Sequence, residues 1–156
     1  MGTLNGVGFV QVYKRTSGVY SQVATLTPGS WRSDTYKFVY GDTVSVSGDG
    51  QTIAVGDAAD NGTGWGPRAA PLNSGTAQTG AVYVYRLKDT WKLANVVKPN
   101  YNPNPGQAHI FGEHVALSRD GHTLIVAAPR ESSSARGIDG DWANTDLGTS
   151  GAIFMY

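Results

Sequence analysis

Gly80-Ala81-Val82-Tyr83-Val84-Tyr85 returns 71 residues later as Gly151-Ala152-Ile153-Phe154-Met155-Tyr156, and Gly8-Phe9-Val10-Gln11-Val12-Tyr13 foreshadows the former at an offset of 72. The run of β-branched and aromatic residues is the composition of a strand. The match spreads outward from it. Residues 38–85 and 109–156 align without a gap at the constant offset of 71, with 12 identities in 48 positions, among them Gly41, Val44, Ser47, Asp49, Gly50, Thr52, Val55, Gly66 and Asn73. An offset held through a long loop argues for one structural unit repeated. The one-residue slip between the first two copies falls in the hairpin after Tyr13 and Tyr85, where turn lengths vary at little cost.

Four short strands make up one unit. Tyr40–Ser47 and Phe111–Ser118 alternate and end at Asp49-Gly50 and Asp120-Gly121, dipeptides suited to tight turns. Thr52–Val55 and Thr123–Val126 follow as short apolar runs, of the kind buried on both faces. After 24 residues rich in Gly, Pro and Asn (56–79) come Gly80–Tyr85 and then Trp91–Lys98, stopped by Pro99. Strands at 8–13 and 19–27 repeat the last two members. The expected organisation is nine strands in a partial repeat at 6–35, a full repeat at 36–106 and a partial repeat at 107–156.

An antiparallel four-stranded unit with apolar residues on both faces of its inner strands fits the blade of a propeller, whereas a sandwich or jelly roll would not repeat itself. The expected fold is therefore all-β, built from propeller-blade repeats of about 71 residues. At that length the chain holds about 2.2 units, too few to close a ring of about six or seven blades.

Phe111-Gly112, Ser118-Arg119-Asp120-Gly121-His122-Thr123-Leu124-Ile125-Val126-Ala127-Ala128-Pro129 and Ser150-Gly151-Ala152-Ile153-Phe154 together resemble the FG-GAP repeat of integrin α-chain-type β-propellers, in its long bacterial and microbial-eukaryote form. In the other copy Tyr40-Gly41 stands for Phe-Gly and Gly56-Asp57-Ala58 for Gly-Ala-Pro. The resemblance implies an extracellular or cell-surface module, with family roles ranging from adhesion to glycan binding. Such repeats often carry a calcium loop, Asp-x-Asp-x-Asp-Gly, between their first two strands. Here that connection shrinks to Ser47-Gly48-Asp49-Gly50 and Ser118-Arg119-Asp120-Gly121. One carboxylate is too few for a cation that takes six to eight oxygens, and Asp before Gly reads as a turn residue.

Composition narrows the function classes. Of 156 residues 21 are Gly, 12 Ser and 14 Thr, while Glu occurs only at 113 and 131, so the usual filling of surface helices is missing. Twelve basic residues balance twelve acidic ones, which removes the electrostatic footprint of a nucleic-acid binder. No run approaches the length of a membrane-spanning helix. With no Cys, disulfide, thiolate and zinc-ribbon chemistry are excluded. No Gly-x-Ser-x-Gly, His-Glu-x-x-His or phosphate-loop motif occurs, so no enzyme is expected.

The long loops at 56–79 and 127–150 are the candidate binding segments, expected on one rim, because connections of this length usually bind something or fold on themselves. Trp65 and Trp142 are candidates for stacking on a sugar face. Their positions are not equivalent, which also fits packing of each loop onto its own sheet. Asp139, Asp141 and Asp146, like Asp57 and Asp60 in the first loop, are candidate calcium ligands together with loop carbonyls; Asx-turns account for the same residues. His109, His114 and His122 lie before, within and after one strand, which sends them to different faces. Asn61-Gly62-Thr63 is a sequon, so Asn61 is a candidate N-glycosylation site.

The expected role is a non-catalytic extracellular module for adhesion or structural assembly, with a glycan-binding lectin as the alternative and a hydrolase as a distant third. Partners are further repeats or other copies of the chain, joined head to tail into oligomers or filaments, or glycans. The strand Gly151–Tyr156 would leave an unpaired edge that soluble proteins cover. Gln11, at the place of Tyr83 and Phe154, predicts that one face of the N-terminal hairpin is less deeply buried than its counterparts.

Overall fold

Two Ser-x-Asp-Gly turns set two matching hairpins of the molecule. Ser47 Oγ donates to Asp49 Oδ1 at 2.6 Å, the Gln51 N–H donates to the same oxygen at 2.9 Å, and the Thr52 N–H donates to Ser47 Oγ at 3.0 Å. Ser118, Asp120, His122 and Thr123 repeat these bonds at 2.5, 3.1 and 3.0 Å. The glycine that follows each Asp takes a left-handed conformation, φ +68° at Gly50 and +69° at Gly121, which a side chain would resist.

The structure is a computed structural model that describes residues 2–4, 7–28, 39–62, 64–69, 79–100, 109–141 and 146–156. Among these residues every regular element is a strand, and the strands pair antiparallel in three open sheets with no closed barrel. The first sheet is β1 (Gly2–Leu4), β2 (Val7–Thr16) and β3 (Val19–Leu26). The second is β4 (Val44–Val46), β5 (Thr52–Asp57), β6 (Ala81–Leu87) and β7 (Trp91–Val97), in chain order. The third is β8 (His114–Leu117), β9 (Leu124–Ala128) and β10 (Ala152–Met155), with β9 in the middle.

Strand alternation divides the second sheet between two cores. Ile53, Val55, Ala81, Tyr83, Tyr85 and Val96 face the first sheet, where Leu26, Val10, Val12 and Ala24 meet them beside Tyr40. Ala54, Val82, Val84 and Val97 face the third, against Phe111, Leu124, Val126, Ala128, Phe154 and Tyr156. The rings interlock edge to face, Tyr40 on Tyr83 and Phe111 on Phe154 at 5.4 Å between centroids, an arrangement that adds to the area term. A tyrosine hydroxyl ties each sheet to the one before. Tyr85 donates to the Thr27 carbonyl at 2.8 Å, and Tyr156 donates to the Lys98 carbonyl at 3.1 Å. Burial pushes both phenols up to about 12.

Three expectations change in detail. There are ten strands among the described residues rather than nine, because Gly2-Thr3-Leu4 pairs with Phe9, Gly8 and Val7, a stretch too short to show alternation. The first strand of the second sheet is only Val44–Val46: Gly41, at φ +93°, breaks the extended run predicted from Tyr40. Burial on both faces holds for β5, all six of whose residues are buried, and fails for β9, where Ile125 is 43 % exposed. No described sheet covers that side of β9.

Phe111→Ala should therefore cost about 3–5 kcal/mol of stability, because Phe111 is fully buried between the second and third sheets. Val23→Ala, at a half-exposed position on β3, should cost less than about 1 kcal/mol. Urea unfolding followed by tryptophan fluorescence gives both values, and equal costs would contradict the packing described.

Candidate functional site

The loop that follows β5 starts from a buried turn in which the Asp60 N–H donates to the Asp57 carbonyl at 3.1 Å. The Asp60 carboxylate then gathers three donors: Lys98 Nζ at 2.5 Å and the Gly62 N–H at 2.8 Å on Oδ1, and the Tyr83 hydroxyl at 2.7 Å on Oδ2. Lys98 also donates to the Gly80 carbonyl at 2.8 Å, and the Gly80 N–H returns to the Asp60 carbonyl at 2.9 Å. Lys98 comes from the end of β7, so this knot fastens both ends of the loop to the far edge of the sheet. Both charged side chains are almost completely buried. Burial pushes the Asp60 carboxyl up, but the Lys98 ammonium and the bonds from Lys98, Tyr83 and Gly62 together hold it below the ordinary carboxylate value. The pair is a structural clamp, closed to solvent.

The loop after β9 starts in the same way and solves the same problem with different atoms. The Glu131 N–H donates to the Ala128 carbonyl, and the Gly151 N–H donates to the Glu131 carbonyl, at 3.1 and 2.9 Å. Phe154 stands where Tyr83 stands and brings no hydroxyl. Glu131 instead takes Ser133 N–H and Ser133 Oγ at 3.0 and 2.8 Å. His109 is buried nearby; burial holds its imidazole below the ordinary histidine value, against a pull upward from Glu131. His114 and His122 are exposed.

Past its clamp, the first loop runs back along β7. The Gly66 N–H donates to the Pro99 carbonyl, the Lys98 N–H to the Gly66 carbonyl, and the Ala69 N–H to the Val96 carbonyl, at 2.9–3.1 Å. These bonds fix the backbone beside Trp65 and leave its side chain 45 % exposed. Trp142 lies outside the described residues. Asp139, at φ +56°, and Asp141 are exposed, and Asp146 accepts a bond from Ser134 Oγ at 3.3 Å. Among the described residues no three His, Asp or Glu side chains gather as a metal ion would require. Asn61 is half-buried with its Oδ1 enclosed, and Thr63 of the sequon lies outside the described residues. A shallow cleft between the two hairpin turns is lined by Gly48, Asp49, Ser118, Arg119, Asp120 and His122. The Asp49 and Asp120 carboxyls, each held below the ordinary value first by its serine and then by a backbone N–H, are already engaged by their own turns.

The clamp escaped the sequence reading, which offered Asp60 as a candidate cation ligand or an Asx-turn residue and treated Lys98 and Tyr83 as ordinary strand residues. A signal was present. Asp60 and Glu131 stand 71 residues apart, both acidic, but a comparison by identity passes over them. No protein-family model matches the chain, and no curated protein matches it.

Lys98→Ala should destabilise the fold by about 3–5 kcal/mol, since it leaves a buried carboxylate without its cation. The Asp60→Leu, Lys98→Met double variant should cost clearly less than the sum of its single changes. A folded-state value below the unfolded ~3.9 means that Asp60 stabilises fully above about pH 4, and that this contribution is lost as pH falls through its lowered value. Asp60→Asn should accordingly flatten the acid limb of a stability–pH curve measured by urea unfolding; an unchanged limb would show that the pair is not ionised.

Proposed function

We propose that this chain is a non-catalytic β-propeller-type repeat module that works outside the cell or at its surface in adhesion or structural assembly. One observation supports this above others: the bonds that organise the second sheet have counterparts 71 residues later in the third. Tyr85 to Thr27 matches Tyr156 to Lys98, Gly80 to Asp60 matches Gly151 to Glu131, and the left-handed glycines at 41, 66 and 80 match those at 112, 137 and 151. Bonds within the loops and bonds between the sheets recur together, as stacked copies of one blade-like unit would require. On this reading the chain carries about 2.2 units of about 71 residues, and the partial unit expected at 6–35 reaches back to β1, which sits beside β2 as β5 sits beside β6.

The chemistry of the loops agrees with a role in surface contact. Their most concentrated ionisable group, Asp60 with Lys98, is sealed from solvent, while Trp65, Pro67 and Arg68 after β5 and Arg136, Gly137, Ile138 and Asp139 after β9 are exposed. The second reading, glycan binding, draws support from the exposed ring of Trp65 on a backbone held by β7.

The mass of the native particle tests the first reading. Sedimentation of material taken directly from its source should give an assembly or a partner complex heavier than one 16.5 kDa chain, and a lone monomer would contradict it. A glycan array tests the second: sugar binding by the parent chain, abolished by Trp65→Ala with the fold intact, would replace assembly with lectin activity.

A further inference from the structure

Ile125, Ile153 and Met155 point away from the second core and are 43 %, 76 % and 75 % exposed. The ladder places them in two cross-strand rows, Ala116–Ile125–Met155 and His114–Ala127–Ile153. Stable proteins seldom leave such a contiguous apolar sheet face in water. Its internal counterparts are informative. Seventy-one residues earlier the same places hold Ala54, Val82 and Val84, which are buried beneath Leu124 and Val126 of the third sheet and Phe111 just before it. One unit earlier again, Val10 and Val12 lie against the core that holds Tyr40, Ile53 and Val55 of the second sheet. The same face is thus covered twice within this chain, each time by the aromatic and aliphatic side of another sheet.

The backbone repeats the pattern. A Cβ built on Gly8 would lie 2.3 Å from the Tyr40 carbonyl oxygen, and one on Gly80 would lie 2.0 Å from that of Phe111. Each glycine is the seat on which the following sheet rests. Gly151 has the backbone conformation of Gly80, φ +78° against +82°, and a Cβ built on it would first meet the carbonyl oxygen of Pro129, just after β9, at 3.4 Å.

We propose that this outward face of the third sheet docks a further antiparallel sheet of the same repeat type, seated as the third sheet is seated on the second; the proposal rests on the repeat reading above. The occupant must bring an aromatic and aliphatic face like that of Tyr40, Ile53, Val55 and Tyr83, with a carbonyl to lie over Gly151. The first sheet of a second copy does not fit. Its free face carries Gln11, whose Nε2 donates to Gln22 Oε1 at 3.1 Å, and Gln22 Nε2 donates to Thr25 Oγ1 at 3.0 Å. Pressing Ile153 and Met155 onto these amides would strip water from polar groups without replacing its bonds.

The test lengthens the full chain, joining a second copy of residues 86–156 directly after Tyr156. Methyl NMR with a soluble paramagnetic probe should show broadening of Ile125, Ile153 and Met155 falling severalfold in the extended chain, and β10 amides should exchange about tenfold more slowly or better. Ile153→Asp should abolish both effects in the extended chain while leaving the parent chain folded. Unchanged methyl exposure, or an added segment that does not fold against this face, overturns the proposal. So does concentration-dependent shielding of the same methyls in the parent chain, which would assign the face to a second copy. The particle mass in the preceding section bears on the module reading alone, so the two can fail separately.

Discussion

The carbonyl oxygen of Phe111 sits where a side chain on Gly80 would begin, and the carbonyl of Tyr40 stands in the same relation to Gly8. These two close approaches fix how near each sheet comes to the next, and with it the depth of both cores. A methyl group at either glycine would meet backbone, which cannot rotate away. The rest of the packing follows from that spacing. The second sheet has apolar side chains on both faces of β5 and β6, its edge-to-face rings fit the gap on either side, and tyrosine hydroxyls at 85 and 156 just reach the ends of the preceding sheets.

The loops are built on the same frame, and they show how a constant backbone tolerates different side chains. An acidic residue closes the turn after β5 and after β9, and in both a glycine N–H from the start of the returning strand binds its carbonyl. The remaining lone pairs are satisfied by whatever lies nearby. At Asp60 that is a lysine from the neighbouring strand and a tyrosine; at Glu131 it is a serine two residues along. Buried carboxylates demand partners but do not specify them. The first solution is long-range and couples the loop to β7, whereas the second reaches only two residues along the chain.

The two ends of the stack are chemically unlike. The free face of the first sheet is a ladder of glutamine, threonine and tyrosine whose polar groups bond to one another, and that of the third carries Ile125, Ile153 and Met155 with His114 at its edge. Gln11 stands where Tyr83 and Phe154 bring aromatic rings, so this face of the first sheet meets water with its polar groups satisfied.

Much of this was legible without coordinates. The offset of 71, the Asp-Gly turns and the run of apolar residues from Thr52 to Val55 depend on local chemistry: a positive φ needs glycine, a strand buried on two faces needs apolar residues throughout, and a repeated unit must repeat both. The turns and the apolar run are signals confined to a few residues, so the sequence by itself determined the all-β class and the antiparallel hairpins. Gln11 even announced the wetter face of the first sheet. The pairing of β1 and the partnership of Asp60 with Lys98 were different in kind, the first because three residues are too few to show a period, the second because its members stand 38 positions apart and neither residue type names its partner. The exposure of Ile125 was likewise invisible, since its neighbours in the chain match those of buried Ala54. Which face meets water is decided by whether another sheet arrives to cover it, and that is a property of the packed molecule, not of any stretch of its sequence.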